Sequence, residues 1–358
     1  MRTKNVQAEL DLADVWAIPR RFVPREDQLL REGDVLVSSA NSWNLVGKCS
    51  LVPDLPWASS FGGFVSVLRS MSPLLDSRFL YRWFSSARIQ TIVRSFGRQT
   101  TNISNLDLQR CLSLDVPLPL VGEQRRIAEV LDRVETLRAQ RRQAIALLDA
   151  LTESIFLDVF GNPLTNPKAW PLKKLSLLGT LDRGVSKHRP RNDPQLLGGV
   201  HPLIQTGDVA NCDRYVRKFT ATYSDLGLRQ SRKWPAGTLC ITIAANIAKT
   251  GVLEFDACFP DSVVGFVPNG RTTTEYVQTW LSFLQKMLED AAPESAQKNI
   301  NLAVLRELDV PLPPIELQRS YGARLAVIEQ VKAAHRQAAD QLNSLFASLQ
   351  HRAFGGEL

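Results

Sequence analysis

Apolar residues in this chain keep two different periods. From Gly122 to Val159 neither glycine nor proline occurs past the first position, and apolar side chains recur in alternating steps of three and four. They fall at Ile127, Val130, Val134 and Leu137, then at Ala144, Leu148, Leu151 and Ile155, with Arg141 as the one interruption. That spacing predicts a long helix carrying a coiled-coil seam rather than a broad globular face. At 1.5 Å per residue, about 37 residues predict a rod of roughly 55 Å. Pro117 and Pro119 hold an extended lead-in, and Phe160-Gly161-Asn162-Pro163 ends the helix. A second stretch repeats the pattern with Tyr321, Ile328, Val331, Ala338, Leu342, Leu345 and Leu349, broken by Arg324 and His335 and closed by Phe354-Gly355-Gly356.

The segments before each helix follow shorter periods. Trp234-Pro235-Ala236-Gly237 opens a strand-like run from Thr238 to Ala245, and Val263 to Val267 is another. Between Thr274 and Asp290, Tyr276, Trp280, Phe283, Leu284 and Met287 fall at helical spacing. Val35 to Ser38, Phe64 to Leu68 and a helix around Phe79, Trp83 and Phe84 play the same parts earlier in the chain. Both segments therefore read as α/β modules, their aromatic residues forming core.

The correspondence extends to identity. Asp115-Val116-Pro117-Leu118-Pro119 recurs 194 residues later as Asp309-Val310-Pro311-Leu312-Pro313, and 18 of the 47 positions from Asp115 to Gly161 are identical at that offset. Upstream the match weakens and shifts: Trp83 answers to Trp280, and Gly33-Asp34-Val35-Leu36-Val37 to Gly237-Thr238-Leu239-Cys240-Ile241. Each half is thus a variable module followed by a near-copied helix. Two such helices pair most economically with each other. The antiparallel arrangement, with one module at each end and a pseudo-two-fold axis, is favoured; docking of each helix on its own module is the alternative.

Composition adds limits. The 358 residues are long enough for two or three domains, and 44% hydrophobic with 22% charged content excludes wholesale disorder. The longest apolar run, about ten residues around Leu239 to Ala248, falls short of a bilayer span. No apolar leader follows Met1, so a cytoplasmic location is expected. Cys49, Cys111, Cys212, Cys240 and Cys258 form no C-x-x-C pair, and the four histidines form no ligand pattern. Reduced thiols, mostly in the core, are expected, and no structural zinc site.

No P-loop, no G-x-G-x-x-G frame and no G-x-S-x-G elbow occurs, and the Asn-Pro-Pro-aromatic tetrapeptide of amino-methyltransferases is missing. The chain alone is therefore not expected to be an enzyme. Basic residues tell more. Lysine and arginine number 43 against 36 acids, for a formal net charge of +7. Residues 1–160 carry 20 basic and 18 acidic side chains, so most of the excess lies beyond them. Arg183, Lys187, Arg189 and Arg191 crowd one Gly/Pro-punctuated loop, where they can follow a phosphate backbone; the alternative is a solvated loop. Asn246 and Lys249 follow a strand, as do Asn41 and, further on, Lys48 in the first module. Arg98 and Gln99 lie in the stretch from Gly97 to Asn102, which corresponds to Ala292 to Asn299 with its Gln297 and Lys298. These residue types suit base edges, Asn and Gln for adenine, Arg and Lys for guanine. Asn102 and Asn299 can equally cap the helices after them.

A variable module, a P-L-P-x-x-x-x-Q-R helix ending in F-G, and a second copy of both resemble the specificity subunit of Type I restriction-modification enzymes. The residues carrying the resemblance are Asp115 to Ile127, Phe160 to Trp170 and Phe354 to Leu358, and it covers essentially the whole chain. It implies target recognition domains at 1–116 and 162–310, each reading one half of a bipartite double-stranded DNA target. The spacer helices at 117–161 and 311–358 would form an antiparallel ruler of at most about 16 base pairs. It implies modification and restriction subunits as partners, holding the S-adenosylmethionine, ATP and magnesium, with no cofactor bound by this chain. One departure stands out. Sixty-seven residues separate Trp170 from Gly237, whereas 32 precede Gly33, so the first module lacks about 35 residues of its sister. Met1 falls mid-module, with Thr3-Lys4-Asn5-Val6 resembling Gln205-Thr206-Gly207-Asp208. A shortened gene, a misplaced start or a degenerate first module are the readings of that gap. A coiled-coil scaffold that binds proteins is the alternative function.

Overall fold

The protein is described here from a computed structural model, which places all residues except 24, 100–102, 189, 245–247, 291–300 and 356–358, and not the side chains of 286–290. Four predicted contact residues, Arg189, Asn246, Gln297 and Lys298, and the possible caps Asn102 and Asn299 lie outside the described residues. Compactness regroups the chain into two units: residues 1–144 with 335–358, and residues 145–334.

The first unit holds β1 (Val35–Ser38), β2 (Ala40–Asn41), β3 (Cys49–Leu51), β4 (Val65–Leu68), α1 (Ser77–Phe84), α2 (Ala87–Ser95), β5 (Gly97–Gln99), β6 (Ser104–Leu106) and α3 (Leu108–Leu112). β1 is the middle strand of an antiparallel sheet ordered β3-β1-β4, and a second small sheet is ordered β2-β6-β5. Asp76 starts α1 by accepting from the N–H groups of Arg78 and Phe79, and Asp107 starts α3 by accepting from that of Arg110. The long helix α4 (Val121–Phe160) begins in this unit.

The second unit holds the remainder of α4, then β7 (Leu172–Lys174), β8 (Gly179–Arg183), β9 (Leu197–Leu203), α5 (Thr206–Ala210), β10 (Tyr215–Val216), β11 (Ala221–Tyr223), α6 (Asp225–Arg229), β12 (Lys233–Trp234), β13 (Leu239–Thr242), β14 (Thr250–Leu253), β15 (Ala257–Cys258), β16 (Val263–Pro268), α7 (Thr274–Asp290), α8 (Leu302–Glu307) and β17 (Asp309–Pro311). The second long helix, α9 (Ile315–Gly355), starts here and ends in the first unit. Its main sheet is ordered β10-β14-β13-β16-β8, and another runs β11-β9-β15-β12. The core of β14-β13-β16 matches β3-β1-β4 residue by residue: Val35 pairs Leu51 and Leu68 where Leu239 pairs Val252 and Phe266. Gly33 and Gly237, at φ 85° and 83°, make the left-handed turn into each central strand. β8 and β10, which flank this core in the second unit, have no counterpart among the described residues of the first. Near the N-terminus, Arg2 N–H donates to Asn5 Oδ1 as Gln205 N–H donates to Asp208 Oδ2, and Val6 and Val209 are both buried. The two segments therefore align one residue away from the match expected from sequence.

In each unit the long helices run antiparallel. In the first, Leu131 and Ala353 share a core cluster with Phe346, Arg138 Nε donates to Asn343 Oδ1 at 2.7 Å, and Arg141 meets His335 at 3.2 Å. In the second, Asp149 meets Lys332, and Phe156 and Phe160 pack on Tyr321. The buried seam keeps only part of the one the apolar spacing predicts: Ile127, Val134, Tyr321 and Ile328 are buried as expected. Val130, Leu137, Leu151, Val331 and Leu345 are exposed, while Leu131, Thr152, Phe156 and Lys332 are buried. Charged residues take seam positions because the partner helix supplies their counter-groups.

Each helix is locked to a module by the glutamine of its repeat. Gln124 Oε1 accepts from the N–H of Asp76 at 2.9 Å, and its Nε2 donates to the carbonyls of Leu74 and Pro119, both at 2.8 Å. Gln318 Oε1 accepts from the N–H of Thr273 at 3.0 Å and the hydroxyl of Thr272 at 2.8 Å, and its Nε2 donates to the carbonyl of Pro313 at 2.9 Å. Both are fully buried. The spacing P-x-x-x-x-Q thus folds the glutamine back onto its own lead-in while it holds the residue that opens α1 or α7.

Candidate nucleic-acid interface

Each module repeats one backbone device at the end of its central strand. Ser38 N–H donates to the Lys48 carbonyl at 2.8 Å and Thr242 N–H to the Lys249 carbonyl at 2.9 Å. The residue before each lysine, Gly47 or Ala248, is left-handed at φ 82° and 56°. Each strand end therefore meets a lysine held by the same backbone bond, after nine intervening residues in one module and six in the other.

In the first module the structure brings all four predicted residues to this end. Asn41 and Gln99 both pair with Ser104, on opposite sides of β6, and Arg98 is the neighbour of Gln99. Asn41 is partly committed: its Nδ2 donates to Ser38 Oγ at 3.0 Å, and its Oδ1 accepts from Ser42 N–H at 2.9 Å. Bidentate readout of adenine requires both groups, so Asn41 as placed shapes the loop. Lys48 Nζ donates to Gln7 Oε1 at 3.1 Å, and partial burial lowers its pKa. Arg98 pairs with Asp107 at 2.8 Å, yet its side chain is 82% exposed and so stays within reach of a ligand. Hydrogen bonding from Arg110 N–H, with the charge of Arg98 beside it, holds the Asp107 carboxyl below the usual carboxylate range. Gln99 is exposed.

In the second module Arg183 ends β8, opposite Val264, and Lys249 precedes β14 at the same end of the five-stranded sheet. Gly184 then lets the chain leave the strand: a Cβ there would lie 2.1 Å from the Phe259 carbonyl oxygen. The basic loop is pinned by Gln230, whose Oε1 accepts from the N–H groups of Lys187 at 2.7 Å and His188 at 3.0 Å. Lys187 and Arg183 are exposed. Arg191 is partly neutralised by Asp261 at 2.5 Å. Beside this loop lie residues outside the predicted set. Exposed Arg229 and Lys233 flank Gln230, and Arg232 stacks over Trp234 at 3.9 Å while pairing with Asp182 at 3.3 Å. Their union with the 183–191 loop depends on Gln230, which carries no sequence signal.

Exposed cations at a strand end can neutralise phosphates, and neighbouring amides can address base edges. The cysteines stand apart from these sites. All five are free thiols, and burial raises Cys49 to about 12 and Cys111 and Cys212 to about 11. No described helix is long and apolar enough to cross a membrane.

Comparison with known proteins agrees with this architecture. The Type I restriction enzyme EcoKI specificity subunit of Escherichia coli (strain K12) is 25% identical over 395 residues, spanning 100% of this chain and 82% of that protein. The StySPI specificity subunit of Salmonella potsdam is 23% identical over 399 residues, spanning 100% and 82%. The crystal structure of the Type-I restriction-modification system S subunit from M. genitalium is similar in fold, with a TM-score of 0.60 at 16% identity over 92% of this chain and 85% of that one. The Type I restriction modification DNA specificity domain matches at residues 22–147 and again at 167–344. With most of its length matched in two successive copies, the chain belongs to the Type I restriction-modification DNA specificity family.

Proposed function

We propose that this chain is the sequence-reading subunit of a Type I restriction-modification assembly, with each module addressing one half of a bipartite duplex target and the paired helices setting their separation. The observation that carries this reading is the repeated strand end, where Ser38 and Lys48 in one module match Thr242 and Lys249 in the other. Two copies of one presenting device suit two half-sites. In this reading modification subunits supply methyl transfer from S-adenosylmethionine, and restriction subunits supply ATP- and magnesium-dependent translocation and cleavage. The chain itself contributes recognition and a docking frame, not chemistry.

The test is DNA binding by the chain assembled with its modification subunits, titrated across salt. Arg183→Glu, Lys187→Glu and Arg191→Glu together are expected to weaken binding at least ~tenfold and flatten the salt dependence, since each lost phosphate contact removes about 0.9 from the log–log slope. Scrambling either half-site alone is expected to weaken binding by about tenfold or more. Unchanged affinity and slope in the triple variant would favour a protein-binding scaffold instead.

A further inference from the structure

Arg232 differs from the other cations beside the basic loop because it is held on two sides. Its guanidinium carbon lies 3.9 Å from the centroid of the Trp234 ring, and its Nη1 pairs with Asp182 Oδ2 at 3.3 Å. The platform is itself fixed. Trp234 is buried and stacks with Phe259 at 5.0 Å between ring centroids. It lies so close to β16 that a Cβ on Gly265 would fall 2.7 Å from its ring. Gly265 pairs across the sheet with Asp182, which sets the carboxylate beside the indole. Asp182 is held in turn by Arg306, whose Nη2 donates to Asp182 Oδ1 and to the Leu181 carbonyl, both at 3.1 Å. The Arg232 side chain nevertheless keeps 44% exposure. It shares a corner with the basic loop, because Ser231 bridges to Ser186 and Gln230 holds the N–H groups of Lys187 and His188.

Arg183, Lys187, Arg229 and Lys233 are built differently. Each is exposed, and among the described residues no salt bridge holds any of them. Untethered cations suit phosphates, which need charge but little orientation. Arg232 has the opposite profile. A phosphate approaching its free edge would also approach Asp182, and the two anions repel, whereas a base edge carries only partial charges. A planar fork aimed in advance loses little freedom on pairing with guanine O6 and N7, the two acceptors that match it. The device is also confined to one module. With Gly33 aligned to Gly237, the positions of Arg232 and Trp234 fall on Gln28 and Leu30. Features shared by the modules build a common frame, and a residue that reads sequence belongs among those that differ.

On the reading of this chain as a sequence-reading subunit, we propose that Arg232 is a base-reading residue of the second module. It makes a bidentate contact to one guanine, with Trp234 as its platform and Asp182 and Arg306 as its positioning residues.

Selection of bound duplexes from a pool with randomised half-sites, by the chain assembled with its modification subunits, tests this. The wild type is expected to require guanine at one position of one half-site. Arg232→Lys keeps the charge and loses the fork, so it should cut that preference about tenfold and leave every other position as it was. Asp182→Asn frees the fork and removes the anion; it should relax the same position and raise affinity for scrambled duplex severalfold. Arg232→Gln should relax that position with little change in salt dependence, whereas loss of a phosphate contact lowers the log–log slope by about 0.9. An unchanged guanine preference in Arg232→Lys, equal weakening on all sequences, or that drop in slope in Arg232→Gln would each overturn the proposal. A wild-type assembly without sequence preference would instead overturn the reading of the chain as a sequence reader, and the role of Arg232 with it.

Discussion

Gln318 makes three hydrogen bonds that join three segments: the hydroxyl of Thr272, the N–H that opens α7, and the carbonyl of Pro313. A leucine of similar bulk would leave those groups buried without it, and each unsatisfied group costs about 1–3 kcal/mol. Gln318→Leu is therefore expected to lower the stability of the second unit by roughly 2–4 kcal/mol. Hydrogen exchange at the first turn of α7 should accelerate at least ~tenfold, and no acceleration there would remove the lock from this account. The glutamine was legible as part of a repeat, since Gln124-Arg125 and Gln318-Arg319 match at offset 194. Its role was not, because the partners of Gln318 lie 45 and 46 residues away. The same limit applies to the candidate contacts. Residue type nominates Arg191 and Asn41 for DNA, but Asp261 partly neutralises the first, which keeps an exposed side chain, and Ser38 and Ser42 engage the amide of the second.

At the scale of elements, the paired helices are held by polar nodes as well as by apolar packing. In the second unit Lys332, 2% exposed, meets Asp149 at 2.5 Å, Glu329 at 3.1 Å and Asp213 at 3.2 Å. The first unit repeats the node in a looser form, where Arg138 meets Glu135 at 2.5 Å and Asn343 at 2.7 Å and stacks on Phe346. Lys332→Met removes the buried cation that Asp149, Asp213 and the nearly buried Glu329 share, at a cost of about 3–5 kcal/mol. Glu329→Gln added to it should restore part of the loss. Arg138→Met, in a node where both charged groups keep about a quarter of their exposure, should cost only about 1 kcal/mol. Urea denaturation of the three variants checks the ranking, and a costlier Arg138→Met would reverse it. The apolar pattern found part of the seam, since Ile127, Val134, Tyr321 and Ile328 are buried, but missed its polar members. A step of three or four finds Val130 and Leu137 by hydrophobicity, whereas Leu131 packs into the apolar cluster with Ala353 and Phe346, and Arg138 is drawn to the Asn343 amide of the facing helix.

At the scale of the whole molecule, the compact units cut across the order of the chain. Residues 335–358 complete the first unit, where Phe354 packs edge-on to Phe79 at 5.5 Å. Phe160, the matching end of the first helix, lies in the second unit against Tyr276 at 4.9 Å and Tyr321 at 5.5 Å. Phe160→Ala removes a fully enclosed ring and should destabilise the second unit by about 3–5 kcal/mol. Phe354→Ala removes a half-exposed ring and should loosen the first unit by less. Regional hydrogen exchange separates the two, and loosening of the second unit by Phe354→Ala would contradict this assignment. What the sequence determined by itself was everything periodic or repeated: two long helices, two α/β modules, the concentration of cations after residue 160 and the family resemblance. These follow from local backbone geometry, which imposes its period on neighbouring side chains. Only the tertiary structure decided which side of each helix is buried, which cations are neutralised, and that Gln230 pins the basic loop. Those outcomes depend on groups as far apart as Asp149 and Lys332, 183 residues along the chain, and burial and charge pairing are set by such neighbours rather than by sequence position.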